Sequence, residues 1–167
     1  MPQTPTNRAF VALGSNLQDP ALQIKNAFLT LEKLPKTKLV KSSSLYQSDP
    51  VGYANQPDFI NAVAEISTQL SPEDLLAALL NIERAAGRER PFANAPRVLD
   101  CDLLLYDDVV THTEKLTLPH PRMHERSFVL LPLAEIAPDL VIPNRGSVVK
   151  LALAHQNQSI KKLNEHI

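Results

Sequence analysis

Two stretches of this chain begin in the same way. In "DPALQIKNAFLTLEKL" Asp19 is followed by Pro20, and in "SPEDLLAALLNIERAAG" Ser71 is followed by Pro72. An Asp or Ser side chain can accept from the open N–H groups of a first helical turn, and a proline just after it gives up an N–H that a helix start cannot use. In the first stretch Ala21, Ile24, Ala27, Phe28, Leu31 and Leu34 recur at helical spacing; the second has acids in its opening turn and Gly87 as a stop. Two helices fixed at these places leave only the runs around them to make the rest of the fold.

Those runs read as strands. "AFVALGSN", residues 9–16, is a short apolar run closed by Gly14, Ser15 and Asn16 behind a polar tail, residues 1–8, that should be flexible. "TKLVKSSSLYQS" and "DFINAVAEISTQ", joined by the turn-rich "DPVGYANQP", should pair antiparallel. "VLDCDLLLY" and "VVTHT" flank Asp107 and Asp108, which predicts a hairpin, although Asp-Asp is a weaker turn signal than Asp-Gly. Beyond Pro119 a helix is predicted through "SFVLLPLAEIA" and another from about Ser147. The order β-α-β-β-α-β predicts an α+β fold: a ferredoxin-like βαββαβ sandwich with helices on one face of an antiparallel sheet, an added hairpin strand and C-terminal helices. At 167 residues the chain is expected to form one domain, 1–167.

Charge narrows the class of function. With 44% apolar residues, 21% charged residues and a net charge of −1, the composition fits neither a disordered tail nor an extended nucleic-acid surface. The single Cys101 excludes an intramolecular disulfide framework and fits a reducing compartment. Nowhere do about 18 apolar residues run together. The expectation is a cytoplasmic monomer acting on small molecules, with no nucleic-acid or membrane partner.

The chemistry-bearing residues cluster. In "RVLDCDLLLY" Asp100 and Asp102 interrupt an apolar run, and on a strand they share one face about 6 to 7 Å apart. Like charges so placed need cations or water. Arg88, Arg90 and Arg97 precede them, so anion-binding forks lead into oxygen ligands suited to magnesium, a combination that suits a polyphosphate. The residues alone leave two readings: Arg97 neutralising Asp100 in a salt-bridged rim, or a metal platform. Gly14-Ser15-Asn16 is a strand terminator or a ligand loop, without the spacing of a Walker loop. In "PHPRMHERSF" His120, His124 and Arg126 lie near Phe128. Phe59 and Asn61 have the same strand parity, so they could bind a flat heterocycle by stacking and hydrogen bonding, or Phe59 could simply pack in the core.

The ordered set "FVALGSNL", "SDPVGYANQPDFINAV", "IERAAGRER", "PRVLDCDLLLY" and "LTLPHPRMHERSFVLLPLAEIAP" strongly resembles the 6-hydroxymethyl-7,8-dihydropterin pyrophosphokinases of folate biosynthesis, across roughly residues 10–143. The resemblance implies transfer of the terminal diphosphate of ATP to the pterin's 6-hydroxymethyl oxygen, with release of AMP. It implies two magnesium ions on Asp100 and Asp102, and catalytic roles for Arg88 and Arg97 as well as for that pair. Nucleotide contacts are implied for Glu83, Arg88, Arg90, Arg97, Leu103, Lys115, Thr117, His120 and Arg126. Pterin contacts are implied for Ser48, Asp49, Val51, Gln56, Phe59, Asn61 and Phe128, with Phe59 and Phe128 sandwiching the ring. The chain departs from many relatives in the loop "PFANAP", which lacks their tryptophan, and at Pro121 and Leu80; such changes should tune affinity more than reaction type. Two other classes compete: a different two-metal nucleotidyl or phosphoryl transferase or nuclease, which should carry a basic track, and a binding module, which would tolerate loss of the acids or arginines.

Overall fold

The structure, a computed structural model, describes residues 6–17, 19–49, 57–87, 98–155 and 160–163. Alternation along three long antiparallel strands decides its layers. These are β1 (Asn7–Ser15), β4 (Phe59–Thr68) and β5 (Asp100–Tyr106), with β1 central. Ala9, Val11 and Leu13 of β1, Ala62, Ala64 and Ile66 of β4, and Cys101 and Leu103 of β5 face one way, where they are buried with Ile24, Phe28, Leu31, Leu75 and Leu79. The latter come from α1 (Pro20–Glu32) and α2 (Pro72–Ala85). Both helices start as their sequences dictate: Asp19 Oδ1 accepts from Leu22 N at 3.5 Å and Ser71 Oγ from Asp74 N at 3.1 Å. Gly87 follows α2 at φ 93, a left-handed conformation natural to glycine.

The opposite face carries Phe10, Val63, Leu104 and Leu105, buried against α3 (Ser127–Ile136) and α4 (Val148–Ala154). Leu104 and Leu105 are neighbours yet share this face. The register between β1 and β5 passes from Val11↔Leu103 to Phe10↔Leu105, so Leu104 is an extra bulged residue. The helices predicted as C-terminal additions thus form a third layer, and helices cover both faces rather than one.

Three local differences from the sequence reading have physical causes. First, β1 begins at Asn7, inside the segment expected to be a tail, because Asn7 and Arg8 pair with Thr68 and Ser67. Second, "TKLVKSSSLYQS" splits into β2 (Thr37–Ser42) and β3 (Tyr46–Ser48), both antiparallel to β4. At the break Ser43 meets Val63 twice, its N–H donating to the carbonyl and its Oγ accepting from the N–H, both at 2.9 Å. Third, the predicted hairpin takes another partner. β6 (Thr111–His112) pairs with β7 (Thr117–Leu118), not with β5. Asp107, at φ 47, is held by β1 instead: its N–H donates to Arg8 O at 2.7 Å and its Oδ1 accepts from Arg8 N at 2.8 Å. The small hairpin of β8 (Val141–Ile142) with β9 (Gly146–Ser147), and β10 (Ile160–Lys162) at the outer edge of β3, have no counterpart in the sequence reading.

Candidate active site

The sheet register gathers the site. Asn61 of β4 lies opposite Gly14 of β1, and Gly14 lies opposite Asp100 of β5. One row inward Ala12 is opposite Asp102; one row outward Ser48 is opposite Phe59. Residues paired across strands point to the same face, here the face that α3 partly covers. Gly14 leaves the middle of its row empty: a Cβ there would stand 3.4 Å from Asn61 Oδ1 and 3.8 Å from Phe59 Cδ1. Asn61 Nδ2 donates to Ser48 Oγ at 2.6 Å, so both buried polar groups on the cleft wall are engaged.

Two clefts meet at the acidic pair. The first is walled by Ser48, Asp49, Phe59 and Asn61 on one side and Phe128 on the other. The second is lined by Glu83, Leu103, Lys115, Thr117 and His120. Asp100, Asp102 and Arg126 line both. The described residues implied as pterin contacts therefore fall in one cleft and the nucleotide set in the other, with the acids between. Arg88, Arg90, Arg97, Val51 and Gln56 lie outside the described residues.

Surroundings give several groups a definite chemical state. Cys101 turns into the helix-covered core, where burial first, then the carboxylates of Glu83, Asp102 and Asp100, push its thiol well up, leaving it protonated. Glu83 is buried on α2 and its Oε2 accepts from Cys101 N at 2.8 Å, which ties that helix to the strand carrying the acids. His120 is lowered to about 4 by burial, then by the Arg126 and Arg122 charges. Its Nδ1 accepts from Arg122 N at 3.1 Å, so the neutral ring carries its proton on Nε2 and offers a donor. The Arg126 guanidinium lies 5.4 Å from the centre of the Phe128 ring. His124 does not join this group; its Nε2 is 2.9 Å from Arg145 Nη1.

The donor set fits magnesium better than a softer metal. Among the described residues no cluster of three or more His, Cys, Asp or Glu side chains could hold an ion. Two hard carboxylates leave the other positions to water and phosphate oxygens, the usual condition of magnesium on a nucleotide. Ala12 and Arg122 also line the first cleft, and Leu76, Glu114 and Pro121 the second, without having been read as site residues; Gly14, left between strand terminator and ligand loop, lines the first cleft too. Its strand-end position singles Gly14 out in the sequence, but its opposition to Asn61 and Asp100 depends on register.

An antiparallel sheet between helices, with two clefts that share a carboxylate pair and a guanidinium, defines an α+β protein whose hard oxygen ligands and anion-binding group sit where two small-molecule clefts meet. The comparisons narrow this class. A family described as 7,8-dihydro-6-hydroxymethylpterin-pyrophosphokinase (HPPK) matches residues 10–138. The 2-amino-4-hydroxy-6-hydroxymethyldihydropteridine pyrophosphokinase of Haemophilus influenzae is 46% identical over 156 residues, 93% of this chain and 98% of its own. That of Pseudomonas aeruginosa is also 46% identical over 156 residues, 93% of this chain and 96% of its own. Plasmodium falciparum HPPK-DHPS, in a crystal structure with pteroate, shares the fold at TM-score 0.72 and 16% identity; the match covers 92% of this chain and 45% of that one. This chain belongs to the 6-hydroxymethyl-7,8-dihydropterin pyrophosphokinase family.

Proposed function

We propose that the two clefts divide a diphosphate transfer between them, the first holding the pterin and the second ATP. The reaction follows from the family: the chain transfers diphosphate from ATP to the hydroxymethyl group of 6-hydroxymethyl-7,8-dihydropterin, a transferase step of folate synthesis. The observation that carries the division is that Asp100, Asp102 and Arg126 border both clefts, so a triphosphate entering one reaches an alcohol held in the other.

In this reading the pterin ring stacks between Phe59 and Phe128, while Asn61 and Ser48 hydrogen-bond its edge, with Asp49, Val51 and Gln56 completing the pocket. Glu83, Leu103, Lys115, Thr117 and His120 bind the nucleotide, Leu103 and Thr117 chiefly through backbone groups. Lys115 supplies a charge to phosphate and His120 its Nε2–H. Asp100 and Asp102 hold two magnesium ions, which when bound neutralise triphosphate charge. Attack of the hydroxymethyl oxygen on the β-phosphorus puts negative charge on the oxygen bridging to the α-phosphate. Arg126, with Arg88 and Arg97 from the sequence resemblance, favours that charge over the ground state, and Arg90 adds a phosphate contact. No side chain is assigned as general base; alignment of alcohol and phosphorus does most of the work. One domain acting as a cytoplasmic monomer is the proposed setting; the lone buried cysteine fits a reducing compartment, and no helix among the described residues is long and apolar enough to cross a membrane.

Incubation with ATP, Mg²⁺ and the reduced hydroxymethylpterin should yield AMP and the pterin diphosphate, resolved by chromatography and mass. Formation of ADP, or nucleotide turnover without pterin, would sink the proposal.

A further inference from the structure

One cation in the first cleft has no task in the division above. Arg122 precedes the short 3₁₀ turn Met123–Glu125, and its backbone is fixed on both sides: its N–H donates to His120 Nδ1 at 3.1 Å and its carbonyl accepts from Glu125 N at 3.0 Å. The side chain is exposed and lines the cleft of Phe59, Asn61 and Phe128, but not the second cleft. Among the described residues none accepts a hydrogen bond from its guanidinium or pairs with it as an ion.

The pterin substrate gives such a group little to bind. It is an uncharged ring with neutral edge groups, and stacking with amide and hydroxyl contacts suffices for it. The ATP polyanion belongs to the cleft that Arg122 does not line. A diphosphate becomes part of the first cleft's own ligand only through the reaction: the hydroxymethyl oxygen bonds to the β-phosphorus, the bond from that phosphorus to the α-phosphate oxygen breaks, AMP leaves with the electron pair, and the alcohol proton passes to solvent. The diphosphate is then part of the pterin, at the edge of the first cleft that Asp100 and Asp102 line. A planar guanidinium matches phosphate oxygens in two parallel bonds.

We propose that Arg122 is a product-side phosphate residue, which binds the diphosphate after it has passed to the pterin and contributes little to binding of either substrate. This rests on the assignment of the first cleft to the pterin. Wild type, Arg122→Ala and Arg122→Lys should each be titrated calorimetrically with the pterin diphosphate, with α,β-methylene-ATP, and with the hydroxymethylpterin in the presence of that analogue. Loss of one charge-assisted contact should weaken the diphosphate by about 10- to 100-fold in Arg122→Ala. The analogue and the unphosphorylated pterin should stay within about twofold, and Arg122→Lys should recover part of the loss. Product affinity within twofold of wild type would make Arg122 an ordinary solvated side chain and overturn the proposal. A parallel loss for the unphosphorylated pterin would overturn it too, as the mark of a residue that binds the ring or shapes the cleft. Phe59→Ala tests the underlying assignment separately: pterin affinity should fall with analogue binding kept, and unchanged pterin titration removes the cleft assignment whatever Arg122 does.

Discussion

At position 14 the site uses a missing side chain. Gly14 sits between Asn61 and Asp100, and an added Cβ would touch Asn61 and Phe59 at ordinary to tight contact distances. Gly14→Ala should therefore fold at least as well as wild type while its methyl intrudes on the floor of the cleft. The expected outcome is a melting temperature within about 2 °C of wild type and pterin affinity reduced roughly tenfold by titration, about 1.4 kcal/mol. His120 carries a pH signature. Its folded value of about 4 lies below the ordinary 6.5, through burial and then the Arg126 and Arg122 charges. The unfolded chain thus binds the extra proton first as pH falls. Stability is fully present above about pH 6.5, declines toward pH 4, and shows a constant deficit below. With allowance for the ring's partial exposure the deficit is roughly 1 to 3 kcal/mol. Urea unfolding should show the wild type losing stability between pH 7 and pH 5, and His120→Asn should flatten that slope.

Among the elements, the break between β2 and β3 does more than interrupt a strand. The freed Ser44 turns to α3, where the Glu135 carboxylate accepts from Ser44 N at 3.1 Å, from Ser44 Oγ at 2.8 Å and from Tyr46 Oη at 2.8 Å. Burial alone would raise the Glu135 carboxyl, but the Ser44 and Tyr46 hydrogen bonds and the Lys162 charge bring it below its ordinary value. The same contact leaves the Tyr46 hydroxyl well above its usual range, through burial and then Glu135. Since α3 carries Phe128 near its start, this tie fixes one wall of the first cleft against the strand that carries Ser48. Glu135→Ala should lower the urea midpoint by the equivalent of roughly 1 to 2 kcal/mol, a modest figure because the carboxylate is exposed. By sign, the stability this carboxylate adds is present above the ordinary carboxylate range and lost as pH falls through its lowered value. That window overlaps only the lower end of the His120 decline, so the slope between pH 7 and pH 5 reports His120 apart from Glu135.

On the scale of the molecule, the acidic pair occupies the boundary of two clefts and no part of the apolar core. Asp100 is buried and Asp102 half-buried, while Cys101 between them points to the opposite layer. Asp102→Ala should therefore abolish turnover and leave the fold intact, with a melting temperature within about 3 °C of wild type. Wild-type turnover by that variant at limiting Mg²⁺ would refute the metal assignment. The third layer, α3 and α4, covers the middle of the sheet face and leaves the row from Asn61 to Asp100 open.

Much of this molecule follows from its sequence alone. The two capped helices, the strand order and the shared face of Asp100 and Asp102 depend on helical periodicity, strand alternation and turn residues within a few positions, and each has its predicted place in the structure. The family likewise is carried by ordered blocks of local sequence. Only the tertiary structure decided what pairs across long separations: Gly14 between Asn61 and Asp100, Asp107 taken by β1 in place of a β5 hairpin, Leu104 bulged so that α3 gains two leucines, and Arg122 in the first cleft alone. Register and bulges are set by competition between distant backbone and side-chain partners. Spacing along one strand fixes which face a residue takes, but it carries no information about which residue will stand opposite.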